Sequence, residues 1–229
     1  MVEKSIIKNN LEKIYNEIKN GNNFGEPVTL IGATKYVESE DIISARDLGL
    51  TDVGDNKVQE FRDKTSKITG LNYHFFGNLQ KNKVKYLIGN VTLIHSVDSI
   101  DLAEEISAQS VKKGVTTNIL LEVNCGEESK GGFPFDEVED ATKKISSLPN
   151  VCVKGIMAML PHTDDENVLT KNCLQLRSKY DKLKSDGYPF EYLSVGMSGD
   201  YKIAIENGSN MIRVGTGIFG ERDYTKKVY

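Results

Sequence analysis

Apolar residues in the first twenty positions fall on one helical face. Ile7, Leu11, Ile14, Tyr15 and Ile18 are spaced by four, three, one and three, which predicts an amphipathic helix over about 3–20. Gly21 and the two asparagines after it stop that helix. The period then changes. VTLIGAT (28–34) is a short apolar run of strand type. In the next segment Ser39 is placed to cap a helix, with Glu40 and Asp41 in its first turn. Ile42, Ala45 and Leu48 form its buried stripe, and Gly49 ends it. This strand, loop and helix unit recurs. Further strand-like runs lie at 51–54, 73–77, 92–96, 117–124, 151–158, 191–196 and 211–215. Amphipathic segments separate them. One carries Leu102, Ala103 and Ile106. A second carries Phe135, Val138, Thr142 and Ile145, with Asp136 and Glu137 early and Lys143 and Lys144 late, as the helix dipole favours. A third carries Leu169, Cys173, Leu176, Tyr180 and Leu183. Strands alternating with helices predict an α/β fold, a single (β/α)8 TIM barrel over about 28–222 preceded by the N-terminal helix, as one domain spanning 1–229. An open doubly wound sheet is the alternative. No sequence repeat supports a solenoid.

Composition narrows the functional classes. A chain of 229 residues buries a core without disulfides or a structural metal. Cys125, Cys152 and Cys173 stand far apart with no C-x-x-C pair. The expectation is a reducing cytoplasm and no cysteine zinc site. His74, His95 and His162 form no H-x-x-x-H pattern, so no metal centre is expected. The N-terminus lacks an apolar signal core, and no apolar run approaches the ~18 residues of a membrane span. The 29 basic and 33 acidic residues give a net charge of −4, which excludes a globally basic nucleic-acid binder.

Chemistry in such a barrel collects at the C-terminal ends of the strands. Two features stand there. Lys35 follows directly on the apolar run Leu30-Ile31-Gly32-Ala33-Thr34. A lysine at that point meets an apolar wall, and partial desolvation favours the neutral amine that forms a Schiff base with a carbonyl. The second feature is a pair of glycine-bearing loops after the last two strands, Gly196-Met197-Ser198-Gly199-Asp200 and Arg213-Val214-Gly215-Thr216-Gly217. Their amides and the Ser198 and Thr216 hydroxyls suit a phosphate, and barrel phosphate sites commonly use these loops. Neither ends in G-K-[ST], so neither is a P-loop. A lysine and a phosphate cup across one mouth suit a carbonyl-bearing phosphate ester, either pyridoxal phosphate or the phosphosugar of a Schiff-base aldolase. Arg213 on the last strand suits a ring nitrogen kept unprotonated, which weakens carbanion chemistry.

The motifs ATK (33–35), GDNKVQE (54–60), HFFGNLQKNKVK (74–85), SVDS (96–99), EVNCGEESKGGF (122–133), KGIMAM (154–159) and SVGMSGDYKIAIENGSNMIRVGTGIFGER (194–222) resemble those of the pyridoxal-phosphate homeostasis proteins. That family shares its fold with the N-terminal barrel of alanine racemases. The resemblance implies that Lys35 holds pyridoxal 5′-phosphate as a Schiff base. It further implies that Ser198, Gly199, Gly215 and Thr216 hold the phosphate, that Arg213 faces the pyridine nitrogen, and that Asn56 lies beside the cofactor. Met157 and Met159 flank Ala158 at a strand end and are expected to fill the core, with packing of one of them, Met157, on the cofactor ring as the alternative. The implied role is cofactor homeostasis without catalysis, with pyridoxal-phosphate-dependent apo-enzymes as recipients. The alternative is an amino-acid racemase of low activity. Racemisation needs a second base facing Lys35. Alanine racemases take theirs from a further C-terminal domain, for which the stretch after the last barrel motif is expected to leave no room. Two positions depart from the family pattern: Asp55 stands where glutamate is usual, and Gly132 makes a glycine pair after Lys130.

Other features read as structural. Lys81, Lys83 and Lys85 are expected on a solvated helix face, with reception of an anion as the alternative. Lys130 is expected to be a loop lysine, with a second amine at the mouth as the alternative. His74 is expected to be structural, and Lys226-Lys227 a frayed tail. No exposed apolar helix stripe demands a partner, so a monomer is expected.

Overall fold

The computed structural model describes residues 2–127 and 131–221. Among them eight parallel strands close on themselves in chain order. They are β1 (Thr29–Ala33), β2 (Asp52–Asp55), β3 (Asn72–Phe75), β4 (Leu93–Val97), β5 (Thr117–Val123), β6 (Val151–Ala158), β7 (Tyr192–Ser194) and β8 (Met211–Val214). Closure runs through β1 and β8, where Thr29 pairs with Met211 and Gly32 with Val214. This ring is the predicted (β/α)8 barrel and excludes the open-sheet alternative.

The outer layer comprises α2 (Ser39–Asp47), α3 (Val58–Lys67), a 3-10 helix (Lys81–Tyr86), α4 (Ile100–Lys113), α5 (Val138–Ser146), α6 (Glu166–Ser185), α7 (Tyr201–Glu206) and α8 (Thr216–Phe219), with α1 (Lys4–Ile18) preceding the barrel. In α1, Ile7, Leu11, Ile14 and Ile18 are buried as their spacing predicts. Polar ties fix its angle against its neighbours. Asn10 donates to the Ile218 carbonyl at 3.0 Å, and the Tyr15 hydroxyl donates to the Gly49 carbonyl at 3.0 Å.

Three boundaries differ from expectation. The first helix ends at Ile18, because the chain turns there into Gly21 at φ 76°. Ser39 lies inside α2 and does not cap it. The N–H groups of Asp41 and Ile42 donate to the Glu38 carbonyl, which starts the ladder one residue earlier. Phe135 precedes α5, with Asp136 and Glu137, in a turn closed by the Glu137 N–H on the Pro134 carbonyl at 2.9 Å.

Inside the ring, Ile31, Leu93, Leu120, Met157 and Met211 form an apolar plug, with Phe76, Met159 and Tyr192 against it. A plugged interior leaves only the strand ends free for chemistry. One irregularity shapes the mouth. Ile119 pairs with Val153 but Leu121 pairs with Ile156, so β6 carries an extra residue. Gly155 sits in this bulge at φ 148°, where a Cβ would run into the Tyr192 backbone. Beyond the bulge Met157 belongs to the interior and Met159 packs against it.

Candidate functional site

A cavity of about 320 Å³ opens at the C-terminal mouth of the barrel. It is lined by Ala33, Lys35, Asn56, Phe76, Met157, Met159, Met197, Ser198, Gly199, Arg213, Gly215 and Thr216. Every cofactor-site residue selected from the sequence therefore lines one space. Ala33, Phe76 and Met197 were not selected there, and Met159, weighed beside Met157 for the ring, lines the cavity too. Strand alternation points to the first two, since Ala33 and Lys35 share a face, as do His74 and Phe76. Lys130 and Lys226-Lys227 lie outside the described residues.

Lys35 is held through its neighbours. Tyr36 has φ 60°, a conformation that costs a bulky residue about 1–3 kcal/mol and persists only where contacts enforce it. The contacts come from α3 and the residue before it. The Tyr36 N–H donates to Glu60 Oε2 at 3.0 Å, and Lys57 Nζ donates to the Tyr36 hydroxyl at 2.9 Å. On the other flank, Lys64 Nζ donates to the Thr34 carbonyl at 2.6 Å and to Asp55 Oδ1 at 2.5 Å. It also lies 3.3 Å from Glu60 Oε2. Lys64, Asp55 and Glu60 are all buried. Burial holds the Asp55 carboxyl above the usual carboxylate range, and Lys64 opposes that shift. The shorter aspartate at this position still reaches Lys64 and the Thr34 hydroxyl, the latter at 2.9 Å. The sequence signal for this cluster was the spacing in α3: Glu60 and Lys64, four apart, share a helix face.

Arg213 ends a polar chain that crosses the barrel. Its Nη1 donates to Ser194 Oγ at 2.7 Å and to the Ser194 carbonyl at 2.8 Å, and its Nη2 donates to the Ala158 carbonyl at 3.1 Å. Ser194 Oγ lies 3.1 Å from His95 Nδ1, and His95 Nε2 lies 2.9 Å from His74 Nδ1. His74 Nε2 lies 3.0 Å from Asp52 Oδ1. The direction of every proton follows. A guanidinium only donates, so Ser194 Oγ accepts from it and donates its own proton to His95 Nδ1. His95 then carries its hydrogen on Nε2 and donates to His74, which donates from Nε2 to Asp52. Burial first, then His74 and Arg213, hold His95 well below the ordinary histidine range, so the relay carries no charge at His95. Burial tends to raise Asp52, but hydrogen bonds from His74 and Thr51 bring it below the usual range. Burial lowers Arg213 to about 10, which leaves it charged at neutral pH.

The two glycine-bearing loops are tied together by Ser198. Its Oγ accepts from the Gly215 N–H at 3.3 Å and the Gly217 N–H at 3.2 Å, so its own proton is left to donate. Gly217 permits this approach, because a Cβ there would lie 2.7 Å from Val214 Cγ1. At Gly199 the backbone faces open space. Asn56 Oδ1 is buried without a hydrogen-bond partner among the described residues, an acceptor that a ligand donor would satisfy. Glu122 is buried, and burial and then Asp98 push its carboxyl up to about 7. Among the described residues no group of His, Cys, Asp and Glu gathers to hold a metal ion, and no helix is long and apolar enough to cross a membrane.

Comparison with known proteins places this fold in a class. Residues 8–223 match the family described as alanine racemase, N-terminal domain. A Clostridium difficile alanine racemase superposes with a TM-score of 0.80 at 16% identity, over 95% of this chain and 57% of that one, a likeness of fold alone. Nearer relatives are more specific. The pyridoxal phosphate homeostasis protein of Aquifex aeolicus is 40% identical over 85% of this chain and 87% of its own. That of Escherichia coli K12 is 34% identical over 88% and 89%. The chain belongs to the alanine racemase N-terminal domain family and, within it, to the pyridoxal phosphate homeostasis proteins. PipY of Synechococcus elongatus, solved with pyridoxal phosphate bound, superposes with a TM-score of 0.84 at 27% identity, over 93% of this chain and 100% of that one.

Proposed function

We propose that this protein binds pyridoxal 5′-phosphate through a Schiff base on Lys35 and serves intracellular homeostasis of that cofactor. The observation that carries the reading is the joint lining of one cavity by Lys35, Arg213 and the Ser198–Thr216 loops. Bound pyridoxal phosphate supplies an electrophilic aldehyde on an electron-poor ring. Lys35 Nζ is the amine that condenses with such an aldehyde, with loss of water. Ser198 donates its hydroxyl proton to a phosphate oxygen, and the exposed Thr216 hydroxyl and the loop amides add further donors. Asn56 Oδ1 accepts a ligand donor. Arg213 can only donate, so it leaves a pyridine nitrogen unprotonated and weakens the ring as an electron sink. The relatives at 33–40% identity carry the homeostasis name, which supports the same reading.

Turnover as a racemase requires a second base across the ring from Lys35. Among the described residues the cavity is lined by no histidine, tyrosine, cysteine or carboxylate. This lining supports a protein that holds and releases the cofactor, for pyridoxal-phosphate-dependent apo-enzymes in this reading, and we further propose that it acts in the cytoplasm as a monomer. Its exposed large apolar side chains are scattered over separate elements, among them Ile6, Phe24, Val111 and Leu174. Borohydride reduction followed by peptide mapping tests the site. The adduct is expected on Lys35 and lost in Lys35→Ala, while L-alanine yields no D-alanine above trace. An adduct that persists elsewhere, or racemisation at about 1–1000 per second, overturns the reading.

A further inference from the structure

A second groove, of about 330 Å³, lies beside the cofactor cavity between the start of α3 and the 3-10 helix. Its lining brings together Lys57, Arg62 and Lys83 with the carboxamides of Asn78 and Gln80 and the ring of Tyr86, and contains no carboxylate. Tyr86 gathers positive charge. The Arg62 guanidinium stacks on its ring at 4.5 Å, Lys85 Nζ lies 5.1 Å from the ring centroid and Lys83 Nζ 6.0 Å. Among the described residues, Glu60 is the one neighbouring acid that reaches a groove cation, with its Oε1 3.8 Å from Lys57 Nζ. Asp101 pairs with Lys81 at 3.2 Å, Asp63 accepts from Gln59 at 3.0 Å, and Glu60 faces Lys64. The lysines of the basic run are exposed on the 3-10 helix, as expected of a solvated face, and two of them converge on one ring with an arginine from α3. Like charges so gathered repel one another unless an anion joins them.

The groove adjoins the cavity. Asn56 lines both spaces. The Tyr36 ring has Lys35 Nζ, of the cavity lining, 5.2 Å from its centroid and Lys57 Nζ, of the groove lining, 4.4 Å from it. A planar phosphate ester passing from the cavity to the groove would leave Lys35 for a lining that holds Lys57, Arg62 and Lys83. Carboxamides offer its ring polar contacts without adding a competing negative charge.

We propose that this groove is a second, non-covalent site for a phosphate monoester, in which pyridoxal phosphate or its pyridoxine counterpart halts on the way to or from Lys35. The ligand assignment rests on the function proposed above; the anion site itself rests on the groove. The test fixes the cofactor on Lys35 by borohydride and then titrates the protein with pyridoxine 5′-phosphate, which has no aldehyde and forms no Schiff base. Calorimetry at low salt is expected to show one further equivalent bound, weakened at least tenfold in Arg62→Ala/Lys83→Ala. Both residues are exposed, so the double variant is expected to melt as the parent does. Binding is also expected to weaken as salt rises, and unphosphorylated pyridoxine is expected not to bind. Absence of the further equivalent, or equal affinity in the double variant, overturns the site. AMP or inorganic phosphate binding as tightly as pyridoxine 5′-phosphate overturns the ligand assignment. Failure of borohydride to label Lys35 counts against the cavity reading alone, and the groove is then titrated on untreated protein with the same expected loss in the double variant.

Discussion

Replacing Lys64 by methionine keeps the packed stem and removes one buried positive charge. The ammonium is the hydrogen-bond donor to Asp55 Oδ1, Glu60 Oε2 and the Thr34 carbonyl. Without it two buried carboxylates face each other, and Asp55 Oδ2 and Glu60 Oε1 already lack hydrogen-bond partners. Breaking a buried ion pair from one side costs about 3–5 kcal/mol, a large share of a domain's stability of about 5–15 kcal/mol. The loss is pH-dependent, and its sign follows from Asp55. Burial already raises that carboxyl, and removal of the opposing Lys64 charge raises it further. A carboxyl held above its unfolded value binds its proton more tightly when folded. Its contribution is present at low pH and is lost as pH rises through the folded value. The deficit of Lys64→Met is therefore expected to shrink between pH 8 and pH 5, by about 1.4 kcal/mol for each unit of added shift. Urea unfolding of both proteins at the two pH values measures it. Asp55→Asn in the Lys64→Met background is expected to recover more than about 1 kcal/mol, because it removes the stranded charge. A deficit below about 1 kcal/mol, or one equal at both pH values, refutes the reasoning. The same variant loosens Thr34, next to Lys35, so slower borohydride-trappable capture of pyridoxal phosphate is expected alongside the stability loss.

Two further predictions concern the barrel interior. The Glu122 carboxyl is pushed up to about 7 from an ordinary 4.5, so its contribution to stability falls as pH rises across that interval, by about 3 kcal/mol in all. Glu122→Gln is expected to raise the melting temperature at pH 8 and to change it little at pH 4.5; an equal change at both pH values counts against the assignment. In the chain behind Arg213, nitrogen-15 NMR of the histidine rings is expected to find both His74 and His95 with the hydrogen on Nε2 at neutral pH. His95 is expected to titrate well below the ordinary histidine range, and a hydrogen on His95 Nδ1 would reverse the derived direction of the relay.

The parts of this architecture that follow simple periodicity were legible before any coordinates. The α1 stripe of Ile7, Leu11, Ile14 and Ile18 and the apolar strand runs carry their own signal, and a barrel then dictates that Lys35, Ser198 and Arg213 meet at one mouth. The helix starts were less legible. Ser39 looks like a cap, yet the turn after β1 makes Glu38 the first carbonyl of the ladder. What stayed hidden were contacts between distant segments. Nothing in the local sequence around Asp52, His74, His95 and Ser194 says that alternation on four different strands aligns them into one chain. Tyr36 was also invisible, because its φ of 60° is imposed by α3 and not by its own side chain. The groove at Tyr86 lay within a simple motif of alternating lysines, but its acid-free lining depends on where α3 delivers Arg62.

The cavity is thus braced on opposite sides by devices of different electrical kind, and each suits what it holds. Lys35 needs its amine free at the mouth, and the charge that fixes its neighbours is drawn away from it. Lys64, Asp55 and Glu60 pair with one another in a buried cluster, which pins Thr34 and Tyr36 without placing a carboxylate in the cavity lining. Arg213 needs to keep its charge although it is fully surrounded by protein. A carboxylate partner would neutralise it and favour protonation of a bound ring nitrogen. The partners present are instead two carbonyls and a hydroxyl, and the relay behind them places its only carboxylate, Asp52, beyond two histidine rings. The guanidinium is therefore oriented by dipoles; Asp200 and Glu122 favour its charge without a hydrogen bond to it among those described, and it presents a donor to the cavity.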